Sequence, residues 1–596
     1  MLRDSDLVSI QEVRAKVEQA YAAFQETRRL PQEKIDSIVE AMGEAARANA
    51  ARLAEMAVEE TGYGNAKDKL AKNLLCADLL PRTIRGMKTV GLLREDPEKK
   101  LHEIATPVGV VAAILPTTNP TSTAIYKSII SIKAGNTIVV SPHPRAKNCT
   151  CETVRVMAEA ALAAGAPQGS IQCIQNATME GTDALMRHPR TSVILATGGA
   201  GIVKAAYSSG KPAYGVGPGN VPVCLDASAD IAESIAKVVA GKSFDYGTVC
   251  SSEQTIVAPA ALRDAVFAEL RRNHAFLCGA DQGKALAKLL IAPNWRINAN
   301  CVGQAPEKIA KMAGFEVPPG TSILAVEIGG VGKEHPLSME KLSPVLSLLF
   351  VKDWDEQIRS CQAILKFGGL GHTCVIHSRD DARIREYGMR MPAFRVLVNT
   401  PSPQGSTGIT TSVFPAMTLG CGAMAGNATS DNVGPQHLIN IKRVAYVVRT
   451  VEEAFPGTSA PASSVGSAVE RFLAKRGLGG SLPATPPSAP APASTTASIV
   501  DRFLSSRRDA PPPPAPPAPS CGCSTPAAAP APPPQPPPAP AAPPAPKIDI
   551  SDFVCEADVR SALHRGGKIY IGPKSIVTPA ARELAGQHDL LVLAQR

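Results

Sequence analysis

Cys250 lies in the run Ser243-Phe244-Asp245-Tyr246-Gly247-Thr248-Val249-Cys250-Ser251-Ser252-Glu253-Gln254, a thiol among small and polar residues just after a Gly-Thr turn. Such a setting suits a nucleophile on a loop, because a reactive cysteine needs access and an electropositive surrounding. The chain has fourteen cysteines, and most cysteines are inert small core residues, so residue type alone does not decide. Two upstream segments supply partners. Leu115-Pro116-Thr117-Thr118-Asn119-Pro120 ends an apolar run, and a side-chain amide at the C-terminal end of a strand can donate to a developing oxyanion. An asparagine before proline is also a common turn residue. Thr197-Gly198-Gly199-Ala200-Gly201 is a glycine-rich strand-to-helix turn, which lets a phosphate approach backbone N–H groups. It falls short of the full dinucleotide fingerprint, and a plain tight turn is the alternative.

These residues need a scaffold, and the patterning supplies one. Residues from about 10 to 95 read as helical, with Ala, Leu and Val at helical spacing. From Glu103 short buried-strand patterns appear: Val108–Leu115, Asn136–Val140, Ser170–Ile174 and Ser192–Ala196. An alanine-rich helix spans Cys151–Ala164, and another follows the glycine turn at Ile202–Tyr207. Alternating strand and helix predict a parallel α/β sheet. A second α/β region runs over 226–425. After Phe455 the composition shifts, and nearly half of the 53 prolines fall between 480 and 546. Ala/Pro/Ser-rich sequence cannot bury a core and predicts an extended, disordered linker. Two islands interrupt it, 467–476 and 498–507, each placing a β-branched residue, Phe and Leu on one helix stripe (Val469/Phe472/Leu473 and Val500/Phe503/Leu504). Short apolar stripes on a tether suit docking to a partner groove. From Lys547 globular character returns, with helix expected at Asp552–Leu563 and Thr578–Leu584 and strand at Lys568–Ile571 and Leu590–Leu593.

Bulk properties narrow the function class. A net charge of +9 over 596 residues is modest, and no basic stripe with interleaved aromatics occurs, so nucleic acid is not an expected partner. No apolar run is long enough to span a bilayer. Met1–Ile10 is polar and charged, so no signal peptide is expected, and irregularly spaced cysteines suit free thiols in a reducing cytoplasm. Cys521-Gly522-Cys523 lacks a second ligand pair at zinc-site spacing, and no metal site is expected.

Asn119 in its Pro-Thr-Thr-Asn-Pro loop, the Thr197-Gly198-Gly199 turn, Cys250 in Gly-Thr-Val-Cys, and Glu340 in Glu-Lys-Leu-Ser-Pro-Val fall in the order seen in the aldehyde dehydrogenase superfamily, and residues 10–450 resemble it. Phe244–Gln254 and Gly371-His372-Thr373-Cys374-Val375-Ile376-His377 resemble the CoA-acylating propionaldehyde dehydrogenases of bacterial microcompartments. The resemblance implies an α/β fold with a Rossmann-like cofactor domain (1–225), an α/β catalytic domain (226–425) and a return segment used in oligomerisation (426–452). It implies a Pro/Ala-rich linker (457–546) whose two helices resemble encapsulation peptides, and a small C-terminal module (547–596). Cys250 would attack the aldehyde carbonyl, with the oxyanion held by Asn119 and the Cys250 backbone N–H. Glu340 would bind the nicotinamide ribose, Ser141, Pro142 and His143 would lie by the adenosine half, and Gly198 and Gly199 by the pyrophosphate. Leu115, Pro116, Thr117, Thr197 and Leu342 would complete the cofactor site.

Two departures from hydrolytic members matter. Their water-activating glutamate sits in a Glu-Leu-Gly-Gly stretch, whereas the matching Tyr214-Gly215-Val216-Gly217-Pro218-Gly219-Asn220 has no carboxylate. Without a general base, water attacks a thioester slowly, while a thiol acceptor needs less help. Ser141 stands where many relatives have lysine, which leaves NAD or NADP open. His372 and His377 flank a strand-like segment of the catalytic half; His372 either lines the site or, the favoured reading, is a structural histidine. The resulting expectation is oxidation of a short-chain aldehyde by NAD and coenzyme A, propionaldehyde first and acetaldehyde second. The enzyme would be a dimer or tetramer, bound through its tail to microcompartment shell proteins in the lumen. A hydrolytic dehydrogenase and a non-catalytic cargo scaffold are the rival readings.

Overall fold

The computed structural model describes residues 4–456, 550–578, 581, 584–585 and 590–593. Both expected encapsulation helices and the Cys521/Cys523 pair lie outside the described residues. The chain divides into two units, the first ending at Val469 and the second beginning at Glu470.

The first unit opens with helices Ser5–Thr27, Gln32–Thr61 and Ala66–Leu74, then a π-helical turn Leu75–Leu79 and a last turn Leu80–Ile84. The helical run expected to 95 therefore stops eleven residues early. Gly86 at φ +78° and Gly91 at φ +71° turn the chain out of the helix, a conformation that costs glycine nothing. The next segment is strand β1 (Gly91–Asp96), paired antiparallel with β2 (Leu101–Pro107).

The first parallel sheet comprises β3 (Val110–Ile114), β4 (Thr137–Ser141), β5 (Ile171–Cys173), β6 (Thr191–Thr197) and β7 (Ala213–Val216), in the order β5-β4-β3-β6-β7. Alternate residues of β3 feed two cores, as the two-residue repeat of a strand requires. Val111 and Ala113 face the helices Gln32–Thr61 and Pro120–Lys133, and Val110, Ala112 and Ile114 face the helix Ser5–Thr27. The chain leaves β3 toward β4 on one side and reaches β6 on the other, so the loops after β3 and β6 flank a topological switch point.

The second sheet comprises β8 (Val221–Leu225), β9 (Glu253–Pro259), β10 (Ala275–Cys278), β11 (Ile323–Glu327), β12 (Val345–Val351), β13 (Gly371–His377) and β14 (Ala393–Val398), in the order β10-β11-β12-β9-β8-β13-β14. All its pairings are parallel. It starts at Val221, so the division placed after 225 falls one strand late, because β8 pairs with β9 and β13 rather than with β7. The return strand β15 (Ile439–Ala445) pairs with β2, and Tyr446, Val447 and Val448 beyond it are exposed.

In the second unit β16 (Ile550–Val554), a helix Glu556–Arg565, β17 (Ile569–Val577) and β18 (Leu591–Leu593) form a three-stranded parallel sheet. The helix expected from Asp552 starts only at Glu556, where the Asp558 carboxylate accepts from the Cys555 N–H at 2.8 Å and caps it. The β17 strand runs on to Val577, six residues past the expected end. Val554, Val559, Ala581, Ala585 and Leu590 make its core.

Candidate active site

Cys250 follows a tight turn in which Asp245 (φ +47°), Tyr246 (φ +51°) and Gly247 (φ +73°) are all left-handed. Two consecutive non-glycine residues in that region are strained, and such strain persists only where surrounding contacts over-determine it. Those contacts centre on the buried Asp245 carboxylate. It accepts from the Asn65 N–H at 2.9 Å and the Lys69 Nζ at 3.1 Å, and also from Lys72 and the Thr248 hydroxyl. Burial opposes the charge on Asp245, but Lys72 and Lys69 outweigh it and hold the carboxyl below its usual range.

The partly exposed Cys250 thiol has an immediate neighbour, His372, whose Nε2 is 3.3 Å from Sγ. Of the two readings of His372, this geometry favours the one that lines the site: the second residue of β13 sets its ring against the thiol. His372 Nδ1 lies 2.9 Å from the Thr373 hydroxyl, which accepts from Arg395 Nε at 3.2 Å. Burial, aided by Arg395, holds His372 well below the ordinary histidine range. Burial also pushes the Cys250 thiol up to about 12, with Glu340 and Cys421 acting the same way. The pair at rest is a neutral imidazole against a neutral thiol. His377, at the far end of β13, is buried and away from this pair.

The segment matching the hydrolytic glutamate stretch packs directly on the cysteine. A Cβ at Gly219 would stand 1.9 Å from the Cys250 carbonyl oxygen and 3.4 Å from His372 Cδ2. That approach admits only backbone. The Gly219 N–H donates to Glu340 Oε1 at 3.2 Å, and burial pushes the Glu340 carboxyl up to about 8. Leu342, two residues on, has φ +45° and accepts from the Gly303 N–H at 2.9 Å.

Asn119 ends the loop after β3 and starts the helix Pro120–Lys133, its carbonyl accepting from the Thr123 N–H at 3.1 Å. Its Oδ1 accepts from Lys72 Nζ at 2.5 Å and its Nδ2 donates to the Thr118 hydroxyl at 3.0 Å. Under this loop the buried Lys127 donates to the carbonyls of Ile114 and Leu195, both at 2.8 Å, tying the ends of β3 and β6 together.

The other residues singled out from the sequence gather along the C-terminal edge of the first sheet. Leu115 and Pro116 are buried and Thr117 half-buried after β3. Ser141 ends β4, its hydroxyl 2.9 Å from that of Thr182, followed by buried Pro142 and exposed His143. Thr197 ends β6, and its buried hydroxyl has no hydrogen-bond partner. Gly199 caps the helix Ala200–Tyr207, and a Cβ there would meet nothing within 4 Å. An orphaned hydroxyl beside open N–H groups at a helix start fits a dinucleotide pyrophosphate. Lys69, Lys72 and Arg395 escaped the sequence reading. Asp245, Gly219 and Thr373 lay inside motifs it quoted, but without a role of their own.

Among the described residues no group of His, Cys, Asp and Glu could hold a metal ion, and no helix is long and apolar enough to cross a membrane. The aldehyde dehydrogenase family model matches residues 5–294. The bifunctional aldehyde-alcohol dehydrogenase AdhE of Escherichia coli is 42% identical over 444 residues, 74% of this chain and 50% of that protein. The chain thus spans about half the length of that relative. The acetylating succinate-semialdehyde dehydrogenase of Clostridium kluyveri is 38% identical over 74% of this chain and 96% of its own. Among solved structures, an acetylating aldehyde dehydrogenase from Geobacillus thermoglucosidasius matches with TM-score 0.74 and 51% identity over 75% of this chain and 99% of that one. A propionaldehyde dehydrogenase from a Clostridium phytofermentans microcompartment matches with TM-score 0.67 and 28% identity over 73% and 97%. One from Rhodopseudomonas palustris, with bound CoA and an acylated cysteine, matches with TM-score 0.67 and 28% identity over 75% of this chain when bound to propionyl-CoA and 73% when bound to CoA. With 96% of the Clostridium kluyveri relative covered at 38% identity and 99% of the Geobacillus structure at 51%, the chain belongs to the aldehyde dehydrogenase family.

Proposed function

We propose that the chain oxidises a short-chain aldehyde to its acyl-CoA through a thioester on Cys250. As Sγ bonds to the carbonyl carbon, the thiol proton passes to His372 Nε2, 3.3 Å away. The oxyanion that forms is met by the Asn119 amide and the Cys250 backbone N–H, donors fixed before the charge develops. A nicotinamide dinucleotide would be held by Thr197, Gly198, Gly199 and Glu340, and would supply the hydride acceptor the oxidation requires. His372 first loses that proton to solvent; the thiol of CoA then attacks the thioester, its proton passing to His372 and from there to the departing Cys250 sulfur, so one proton is released per turnover.

The observation that carries this reading over hydrolysis is the contact of Gly219 with Cys250. A Cβ 1.9 Å from the Cys250 carbonyl excludes a side chain at position 219, and the whole segment Tyr214–Asn220 that packs there carries no carboxylate of the kind that activates water in the hydrolytic members. CoA bound to the R. palustris neighbour supports the same acceptor. The acetylating neighbour at 51% identity favours acetaldehyde, and the microcompartment neighbours at 28% favour propionaldehyde. The higher identity puts acetaldehyde first. We extend the proposal to NAD as the dinucleotide, to a homo-oligomer built on β15, and to packaging in a microcompartment through 457–546.

The test is NADH formation from acetaldehyde or propionaldehyde, with and without CoA, on wild type and Cys250→Ala. CoA-dependent turnover lost in the variant supports the reading. CoA-independent formation of a free acid would overturn it. Deleting 457–546 should leave turnover intact and abolish co-purification with shell proteins; retained co-purification would sink the packaging proposal.

A further inference from the structure

Asn119 can serve an oxyanion only with its nitrogen turned toward the substrate, and a side-chain amide flips easily unless its partners forbid it. Here they do. The atom facing Lys72 Nζ at 2.5 Å must be the oxygen, because a lysine ammonium donates and never accepts. One N–H of Nδ2 is spent on the Thr118 hydroxyl at 3.0 Å. The other remains for a ligand.

Lys72 is itself held. It sits on the helix Ala66–Leu74, is almost fully buried, and its ammonium pairs with the Asp245 carboxylate. Asp245 is five residues before Cys250. Lys69, one turn earlier on the helix, donates both to Asp245 and to the Thr118 carbonyl at 3.0 Å. Asp68 on the same helix accepts from the Asp245 N–H at 2.7 Å and the Asn65 side chain at 2.7 Å. Space is closed around the carboxylate: a Cβ at Gly64 would stand 1.9 Å from Asp245 Oδ1. Two lysines and an aspartate buried together far from any solvent role are costly to assemble. This cluster joins the amide loop to the nucleophile loop and touches both.

We propose that Lys72 is a positioning residue for the oxyanion. Anchored by Asp245, it fixes the Asn119 carbonyl oxygen and so turns the amide N–H toward the carbonyl that Cys250 attacks. The assignment rests on the proposed role of Asn119. Without Lys72 the amide can present its oxygen to the oxyanion, which repels it.

The test is a double-mutant cycle of Lys72→Met with Asn119→Ala, read as kcat and KM for CoA-dependent aldehyde oxidation. Lys72→Met leaves Asp245 paired with Lys69, so the remaining buried charges balance. It should lower kcat about tenfold to a hundredfold, the scale of a misplaced catalytic group, with little change in KM. In the Asn119→Ala background it should change kcat less than about twofold, because coupled residues are non-additive. The rate of Cys250 alkylation by iodoacetamide, which needs the loop but no oxyanion donor, should stay near wild type. If Lys72→Met fails to fold by thermal unfolding, Lys72→Gln takes its place. Its amide can donate or accept, so it preserves polarity without fixing the orientation, and the same non-additive loss is expected. Multiplicative losses in an active enzyme, unchanged kcat in either folded variant, or alkylation falling in parallel with kcat would overturn the assignment alone. A wild type without CoA-dependent turnover would overturn the functional reading first and the assignment with it.

Discussion

The two parallel sheets use opposite ends. The first presents its C-terminal edge: Leu115 after β3, Ser141 ending β4, and Thr197 with Gly198 after β6. The second presents its N-terminal edge: Gly219 before β8, Cys250 before β9, Glu340 before β12 and His372 at the start of β13. The first edge follows the general rule for ligand crevices in α/β sheets. It is open, and its buried Thr197 hydroxyl lacks a partner. The second breaks that rule, and its acid and base are pushed toward neutrality by burial. An edge built to receive a polar cofactor can stay unsatisfied until the ligand comes. An edge built to do chemistry must instead set its reacting groups against each other, as His372 Nε2 is set 3.3 Å from Cys250 Sγ, even where a neighbour such as Glu253 Oε2 is left without a partner.

The same substitution at one glycine of each edge tests this contrast most sharply. Gly219→Ala drives a methyl to 1.9 Å from the Cys250 carbonyl. In a packed interior the nucleophile loop must shift, and turnover should fall by about a thousandfold or more, since a 1 Å displacement alone costs about a hundredfold. Gly199→Ala meets nothing within 4 Å, so the fold and kcat should hold. Its methyl would crowd the backbone approach of the pyrophosphate and raise KM for the dinucleotide severalfold. Thermal unfolding and steady-state kinetics on both variants decide; equal effects would erase the distinction between the edges.

His372→Ala comes next. If the ring takes the thiol proton, kcat/KM should drop about a hundredfold to ten-thousandfold, while dinucleotide binding, measured by fluorescence titration, stays unchanged. A loss confined to binding would return His372 to the structural role that its sequence context suggested.

That context shows where the sequence is legible. The loops of the first edge could be read because strand, glycine turn and helix follow one another locally, and a chain-order rule says where ligands sit. Cys250 could be read because small polar neighbours surround it within one segment. His372 could be read only as an alternative to a structural histidine: it begins a buried strand, and nothing local says that the strand's start, 122 residues away, meets a thiol. Lys69 and Lys72 look like the charged face of a helix, and only tertiary packing buries them. The alternation of strands and helices was visible throughout, whereas the end of the helical run at Ile84 depended on two left-handed glycines that composition alone does not announce.

The thiol itself gives a smaller but cleaner effect. A Cys250 thiol pushed up to about 12 is protonated through the ordinary range. Its alkylation by iodoacetamide, without dinucleotide, should keep rising with pH through 10 rather than level near about 8.5, the unperturbed thiol value. A plateau at or below 8.5 would mean a thiolate already stabilised at rest, and the neutral pair with His372 would be wrong.

The smallest effect is on stability, and it asks whether the second edge bears a cost for its dryness. Glu253 opens β9; its Oε1 accepts from the Ser402 N–H at 2.6 Å, and its Oε2 has no partner. Burial pushes its carboxyl up to about 8 from an ordinary 4.5. Between those values the folded chain holds a proton that the unfolded chain has lost, so this group's stabilisation is full below about 4.5 and drains away as pH rises to about 8. Lys242, pushed down to about 7 by burial, acts with the opposite sign but only above that value. From about pH 5 to 7 Glu340, raised to about 8, acts with the same sign and the buried His377, lowered to about 4, with the opposite one, so it is the difference between wild type and a Glu253 variant that isolates this carboxyl. Glu253→Gln keeps the acceptor for Ser402 and removes the titration. Across that window its Tm should fall less, or rise more, than that of wild type, by about a degree or two. Parallel Tm curves would show that Glu253 is solvated or ionised in the fold, and that the edge carrying the chemistry is no drier than the edge that waits for its ligand.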